Sequence, residues 1–158
     1  MTIMGVDPGT RITGYGIISI ADDGAMKYIA CGAIIPKEKT LPEKLLKIFN
    51  ELCAVIKKYK PCSIAVEEVF FAKNVRSTVM IGEARSAALI AAARAGVPVA
   101  NYPPAEVKKT VAGNGMAEKK QVQLMVKLHL RLNELPEPID ASDALAIAIC
   151  HGFLRNLP

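Results

Sequence analysis

Thr2-Ile3-Met4-Gly5-Val6-Asp7-Pro8-Gly9-Thr10 is the stretch on which the reading of the chain turns. Ile3, Met4 and Val6 suit a strand in a sheet core. Pro8 has no N–H to give a ladder, so the strand must end at or before it. Asp7 is thereby placed at a strand end, where a sheet delivers side chains into a cleft. Taken alone, Asp-Pro-Gly-Thr also reads as a plain turn, in which Asp caps, Pro presets φ and Gly takes φ > 0. What decides between a turn residue and a chemical one is whether other acids reach the same place.

Working outward, Thr13–Ile20 is β-rich, Ala21-Asp22-Asp23-Gly24 is a turn, and 26–35 makes a third strand, which together predict an antiparallel meander. Thr40-Leu-Pro-Glu43 resembles a capping box with Pro in the first turn. Leu45, Leu46, Phe49, Leu52, Val55 and Ile56 follow at helical spacing up to Pro61. Ser63–Val69 is a fourth strand, apolar enough to be central. Ser77 or Thr78 is expected to cap a long Ala-rich helix that stops near Gly96, and 97–102 is a fifth strand. Pro103-Pro104 introduces a short helix ended by Gly113-Asn114-Gly115. A longer helix is expected over 117–133, and a last one carries Asp140-Ala-Ser-Asp143 and the apolar run to Leu154. The pattern is that of one α/β domain over 1–158, with a mixed five-stranded sheet and helices on both faces.

Composition narrows the class. The 158 residues are 51% apolar with only 5% aromatics and no Trp, so an aliphatic core is expected, burying roughly two-thirds of the unfolded surface. Cys31, Cys53, Cys62 and Cys150 show no Cys-x-x-Cys spacing and read as reduced core thiols of a cytoplasmic protein. No basic-then-apolar leader opens the sequence, and the apolar run between Arg85 and Arg94 is far too short to span a bilayer, so no membrane association is expected. The formal net charge of +5 is concentrated in 102–131, where Lys108, Lys109, Lys119, Lys120, Lys127 and Arg131 face only Glu106 and Glu118. Such a stretch serves as a solvated surface or as a seat for a polyanion.

Glu67 and Glu68 interrupt an apolar strand, where an ionised carboxylate is expensive to bury unpaired. Adjacent strand residues face opposite sides, so only one of the two can share a face with Asp7. Asp140 and Asp143, three apart, share one helix face, although Asp near a helix start is also ordinary dipole chemistry. Asp7, a strand glutamate and this pair all fall where apolar elements begin or end. Gathered carboxylates repel one another and persist best around divalent cations. Hard oxygen donors without a thiolate or imidazole set favour Mg²⁺ or Mn²⁺. Two such ions can activate water and stabilise the leaving oxygen of a phosphodiester, which suits a nuclease whose lysines hold the backbone.

Four segments carry a resemblance in order along nearly the whole chain. They are Gly5-Val-Asp-Pro-Gly-Thr-Arg-Ile-Thr-Gly-Tyr-Gly16, Val66-Glu-Glu-Val-Phe-Phe-Ala-Lys-Asn74, Val107-Lys-Lys-Thr-Val-Ala-Gly113 and Asp140-Ala-Ser-Asp-Ala-Leu-Ala-Ile-Ala148. They resemble the RuvC family of Holliday-junction resolvases. The resemblance implies an RNase H-like fold, a homodimer, and paired symmetric nicking of four-way DNA junctions in recombination and repair. It further implies two Mg²⁺ ions per site, with Mn²⁺ a possible substitute, products bearing 5′-phosphate and 3′-hydroxyl ends, and a RuvA–RuvB branch-migration complex as partner. Matched position by position, the family's metal-binding acids fall on Asp7, Glu67, Asp140 and Asp143, with Glu68 where many relatives carry Gln. Phe70 matches an aromatic that meets bases at the junction, and Lys108 and Lys119 match lysines near the DNA backbone. His129 and His151 have no partner spacing and read as incidental. Asp-x-Gly-Thr before a β-turn-β also resembles the phosphate loop of actin-like and sugar-kinase ATPases. A catalytically silent junction-binding module and a pre-16S rRNA-processing nuclease of the same fold are further alternatives.

Overall fold

The computed structural model describes residues 1–69 and 75–155, apart from the side chains of Arg76 and Ser77. β1 (Thr2–Asp7), β2 (Thr13–Ile20) and β3 (Met26–Ile34) form the expected antiparallel meander. β4 (Ser63–Glu67) runs parallel to β1, and β5 (Val99–Tyr102) parallel to β4, giving the order β3-β2-β1-β4-β5. β1 is therefore central, and its C-terminal end lies beside that of β4.

Helices cover both faces. Met4 and Val6 point into an aliphatic layer with Ile17, Ile64 and Val66, closed by α1 (Leu41–Tyr59) and α2 (Val75–Arg94). Glu43 seals the start of α1 by accepting from the Thr40 N–H at 3.1 Å and the Thr40 hydroxyl at 2.7 Å. On the opposite face, Ile3, Ile18 and Ala65 meet α5 (Ile139–Leu154), which is backed by α3 (Pro104–Ala112) and α4 (Lys119–His129). Apart from Asp143, residues 141–151 of α5 are all buried. A helix apolar all round is one packed on more than one side, and α5 lies between the sheet and the α3–α4 layer.

Several boundaries differ from the sequence expectation. α2 begins at Val75, so Ser77 and Thr78 lie inside its first turn rather than capping it. Residue type alone does not separate a cap from the next positions. α4 is shorter than 117–133, because Arg131 takes a left-handed φ of 52° without being glycine and the Leu132 N–H closes back on the Lys127 carbonyl at 2.9 Å. Strands three to five are each one or two residues shorter than expected. Gly96 and Gly113 stop their helices at positive φ, as expected. All four cysteines are free, but Cys62 is exposed rather than a core thiol. Among the described residues no helix is long and apolar enough to cross a membrane.

Candidate active site

Strand parity brings the acids together. Ile3, Gly5 and Asp7 occupy one face of β1, and Ser63, Ala65 and Glu67 the same face of β4. Val6 and Val66 are paired across the two strands, so Asp7 and Glu67 follow as neighbours at the two strand ends, under the start of α5. Glu68 takes the other parity and is exposed, which settles which glutamate points towards Asp7.

Glycines bring α5 down onto this end of the sheet. A Cβ on Gly5 would run into the Ala144 carbonyl, one on Gly14 into the Asp140 carbonyl, and one on Gly16 into the Leu145 backbone. Gly14 is the ladder partner of Asp7, and Gly16 of Gly5. The bare backbone at these points lets the first turns of α5 lie directly on β1 and β2, and it is this close approach that carries Asp140 and Asp143 to Asp7. Thr13 secures the intervening loop, accepting from the Gly9 N–H at 3.2 Å and donating to the Gly9 carbonyl at 2.7 Å.

The electrostatics record the convergence. Burial, then the charges of Glu67 and Asp143, push the Asp7 carboxyl up to about 8 despite Lys119, with Asp140 adding to the rise. Burial and Asp143 push Glu67 up to about 7, against Lys119 and Lys108. Carboxyls raised by both burial and like charges mark a functional cleft more often than a structural ion pair. Lys119 donates to Asp143 Oδ2 at 2.6 Å, with 61% of the lysine side chain and 19% of the aspartate exposed. Burial opposes the Lys119 charge, but the bond to Asp143 and the charges of Asp143, Asp7 and Asp140 outweigh it and hold the ammonium above its ordinary range. An ion pair this open contributes little to stability, so its interest is chemical. Among the described residues no three acids are drawn to one ligating point, and Asp143 is turned towards Lys119.

This donor set fits hard divalent cations. Four carboxylates with no sulfur or imidazole among them match Mg²⁺ or Mn²⁺, and the raised proton affinities of Asp7 and Glu67 come first from burial and then from neighbouring acids, both of which a dication would offset.

The comparisons with known proteins point the same way. Residues 3–151 match the family model described as crossover junction endodeoxyribonuclease RuvC. The chain belongs to the RuvC family. It is 49% identical over 157 residues to the RuvC of Pelotomaculum thermopropionicum, covering 96% of this chain and 93% of that one. It is 48% identical over 152 residues to the RuvC of Syntrophomonas wolfei, covering 96% and 88%. Among solved structures, Thermus thermophilus RuvC in complex with a Holliday junction substrate superposes with a TM-score of 0.92 at 34% identity, covering 99% of this chain and 96% of that one. The RNase H-like α/β fold implied by the sequence resemblance is therefore the fold observed, and membership of the RuvC family makes the chain an endodeoxyribonuclease of a metal-dependent kind.

Of the residues singled out in the sequence, Glu67, Asp143 and Asp140 lie within electrostatic reach of Asp7, and Lys119 and Lys108 within reach of Glu67. Lys109 and Lys120 are exposed. Phe70 lies outside the described residues. The sequence reading missed two features. One is the glycine set, whose signal was the run of three glycines inside otherwise β-rich strands, a mark of close backbone approach. The other is His151, read as incidental, whose ring nitrogens meet Ser63 Oγ at 2.9 Å and Tyr102 Oη at 2.8 Å. Burial, and then Arg155, hold this imidazole below its ordinary range. It ties β4 and β5 to α5 behind the acids. No sequence spacing could reveal it, because its partners are 88 and 49 residues away.

Proposed function

We propose that this chain acts as a single RNase H-like domain that resolves four-way DNA junctions, cutting them by paired symmetric nicks as a homodimer. The observation that carries the reading is the convergence of Asp7, Glu67, Asp140 and Asp143 at one end of the central sheet, with Lys119 and Lys108 on its border. Asp7, Glu67, Asp140 and Asp143 would hold two Mg²⁺ ions, or Mn²⁺ in their place, and these would supply the positive charge that activates water and stabilises the leaving oxygen of a phosphodiester. The protein's part is positioning. β1 and β4 hold Asp7 and Glu67 on a rigid ladder, and the glycine-seated α5 fixes Asp140 and Asp143 relative to them. Lys119 and Lys108 neutralise backbone phosphates that would otherwise be repelled by the acids. Phe70 follows β4 in sequence and would offer an aromatic face to an unpaired base, worth roughly 1–3 kcal/mol.

Two symmetric cuts require two identical sites in a fixed relation, which a C2 dimer provides. The alanines of α2 pack inside the protein, so the proposed interface is its exposed face bearing Val75, Val79 and Ile90, away from Ile81, and a RuvA–RuvB branch-migration complex is the proposed partner. The test is cleavage of a synthetic four-way junction against a linear duplex of the same sequence in Mg²⁺. Symmetric nicks confined to the junction are expected. Asp7→Asn should bind the junction and fail to nick it. Retained cleavage by that variant would sink the site assignment.

A further inference from the structure

The β1–β2 loop opens a groove of about 580 Å³ that ends at Asp140. Its walls are Thr10, Arg11, Ile12, Ile35, Met80 and Ile81. Thr10 and Ile12 come from the loop itself, Ile35 follows β3, and Met80 and Ile81 belong to α2. The groove therefore lies on the β2–β3 side of Asp7, whereas Lys108 acts on Glu67 from the β4 side. The volume is that of a ligand-sized cleft, which runs roughly 300–1,000 Å³.

Two features of the groove have no role in the fold. Ile35 is 56% and Ile81 37% exposed, so apolar surface stands in water beside a cluster of acids, where such patches mark contact sites. Arg11 is exposed, on a loop that the Thr13–Gly9 bonds hold closed. A guanidinium presented by a closed loop over apolar walls is complementary to a nucleotide, which has an anionic backbone and flat, weakly polar base faces. A polyanion crossing four carboxylates also needs cations on both sides of them. Lys108 and Lys119 serve one side, and Arg11 is the cation of the groove on the other.

We infer that this groove seats the nucleotide next to the scissile phosphate on the strand being cut. Arg11 holds its backbone phosphate, and the exposed Ile35 and Ile81 with the half-buried Ile12 and Met80 receive its unstacked base, as apolar side chains do where bases part from the stack. The groove is then the part of the protein that gives cleavage its nucleotide preference. The inference rests on the junction-nuclease reading of the neighbouring acids, with which the groove shares Asp140.

The experiment is single-turnover cleavage of four-way junctions randomised around the branch point, read by sequencing the nicked strands, for wild type, Arg11→Ala, Arg11→Lys, Met80→Ala and Ile81→Ser. Junction binding against KCl concentration and sedimentation are measured on the same proteins. Arg11→Ala should weaken junction binding about tenfold on all sequences and lower the slope of log K against log[salt] by about one, with Arg11→Lys restoring most of the slope. Ile81→Ser and Met80→Ala should flatten the preference at one position beside the cut and leave the others as they are. A wild-type slope in Arg11→Ala together with a wild-type profile in Ile81→Ser would overturn the inference, as would a wild-type profile with no preference at all. An altered oligomeric state in Ile81→Ser with an unchanged profile would assign the groove to a second copy of the chain and overturn it too. Wild-type protein that nicks no junction in Mg²⁺ removes the underlying reading as well, so the two failures are distinct.

Discussion

Replacing Asp7 by Asn should stabilise the metal-free protein at pH 8 while abolishing its activity. The folded state lifts the Asp7 carboxyl from 3.8 to about 8. Between those values the native protein keeps a proton that the unfolded chain has released, so this group makes stability fall as pH rises from about 4 to about 8. At about 1.4 kcal/mol per tenfold change in proton affinity, the ionised carboxyl opposes folding by roughly 5 kcal/mol at pH 8. Asn keeps the shape and removes the charge. Its amide has its own burial penalty of about 1–3 kcal/mol, which leaves about 2–4 kcal/mol net, or a Tm rise of about 4–16 °C for a chain of this length. Thermal unfolding followed by circular dichroism, in chelator, across pH 4–8 is the assay. The gain should shrink steadily towards pH 4, near the unfolded value of 3.8, below which Asp7 is protonated in both states. In Mg²⁺ the order should narrow or invert, since only the wild type retains the full ligand set, and a ligand at one hundred times its Kd adds about 2.7 kcal/mol to the folded state. A variant that melts at or below the wild type in chelator at pH 8, or gains equally at pH 4, would refute the account of the site as crowded, desolvated negative charge.

Three further outcomes are expected. Gly14→Ala places a methyl group against the Asp140 carbonyl, so it should destabilise by about 1–3 kcal/mol in urea unfolding and reduce cleavage more than junction binding, because it lifts Asp140 from Asp7. Lys119→Ala should lower the salt slope of junction binding by about one and move the ionisation of Asp7 and Glu67 to still higher pH, visible in carboxyl carbon shifts by NMR, since Lys119 lowers both. His151→Phe should cost about 1–3 kcal/mol by stranding Ser63 and Tyr102. Because His151 is held below its ordinary range, the wild type should lose stability as pH falls through the histidine range, and a urea-melt series from pH 7.5 to 5 should show that the variant lacks this component.

Local chemistry alone settled much of this protein. The apolar run before Pro8, the meander of 13–34, the capping box at Thr40 and the glycine stops at Gly96 and Gly113 are read from side-chain type within a few residues, because strand, cap and left-handed turn are short-range properties. The candidate acids Asp7, Asp140 and Asp143, with one of Glu67 and Glu68, were also legible, since carboxylates at the ends of apolar elements are costly enough to stand out. Boundaries that depend on non-glycine backbone, such as the left-handed Arg131, were not. Tertiary structure alone decided which glutamate turns towards Asp7, because that depends on the phase of β4 against β1. It also decided that Lys119 reaches Asp143 across 24 positions, and that Gly5, Gly14 and Gly16 clear a bed for α5. Convergence is a property of packed distance, and sequence separation carries no record of it. Asp7 is a turn residue by its neighbours in sequence and part of an acidic cluster by its neighbours in space.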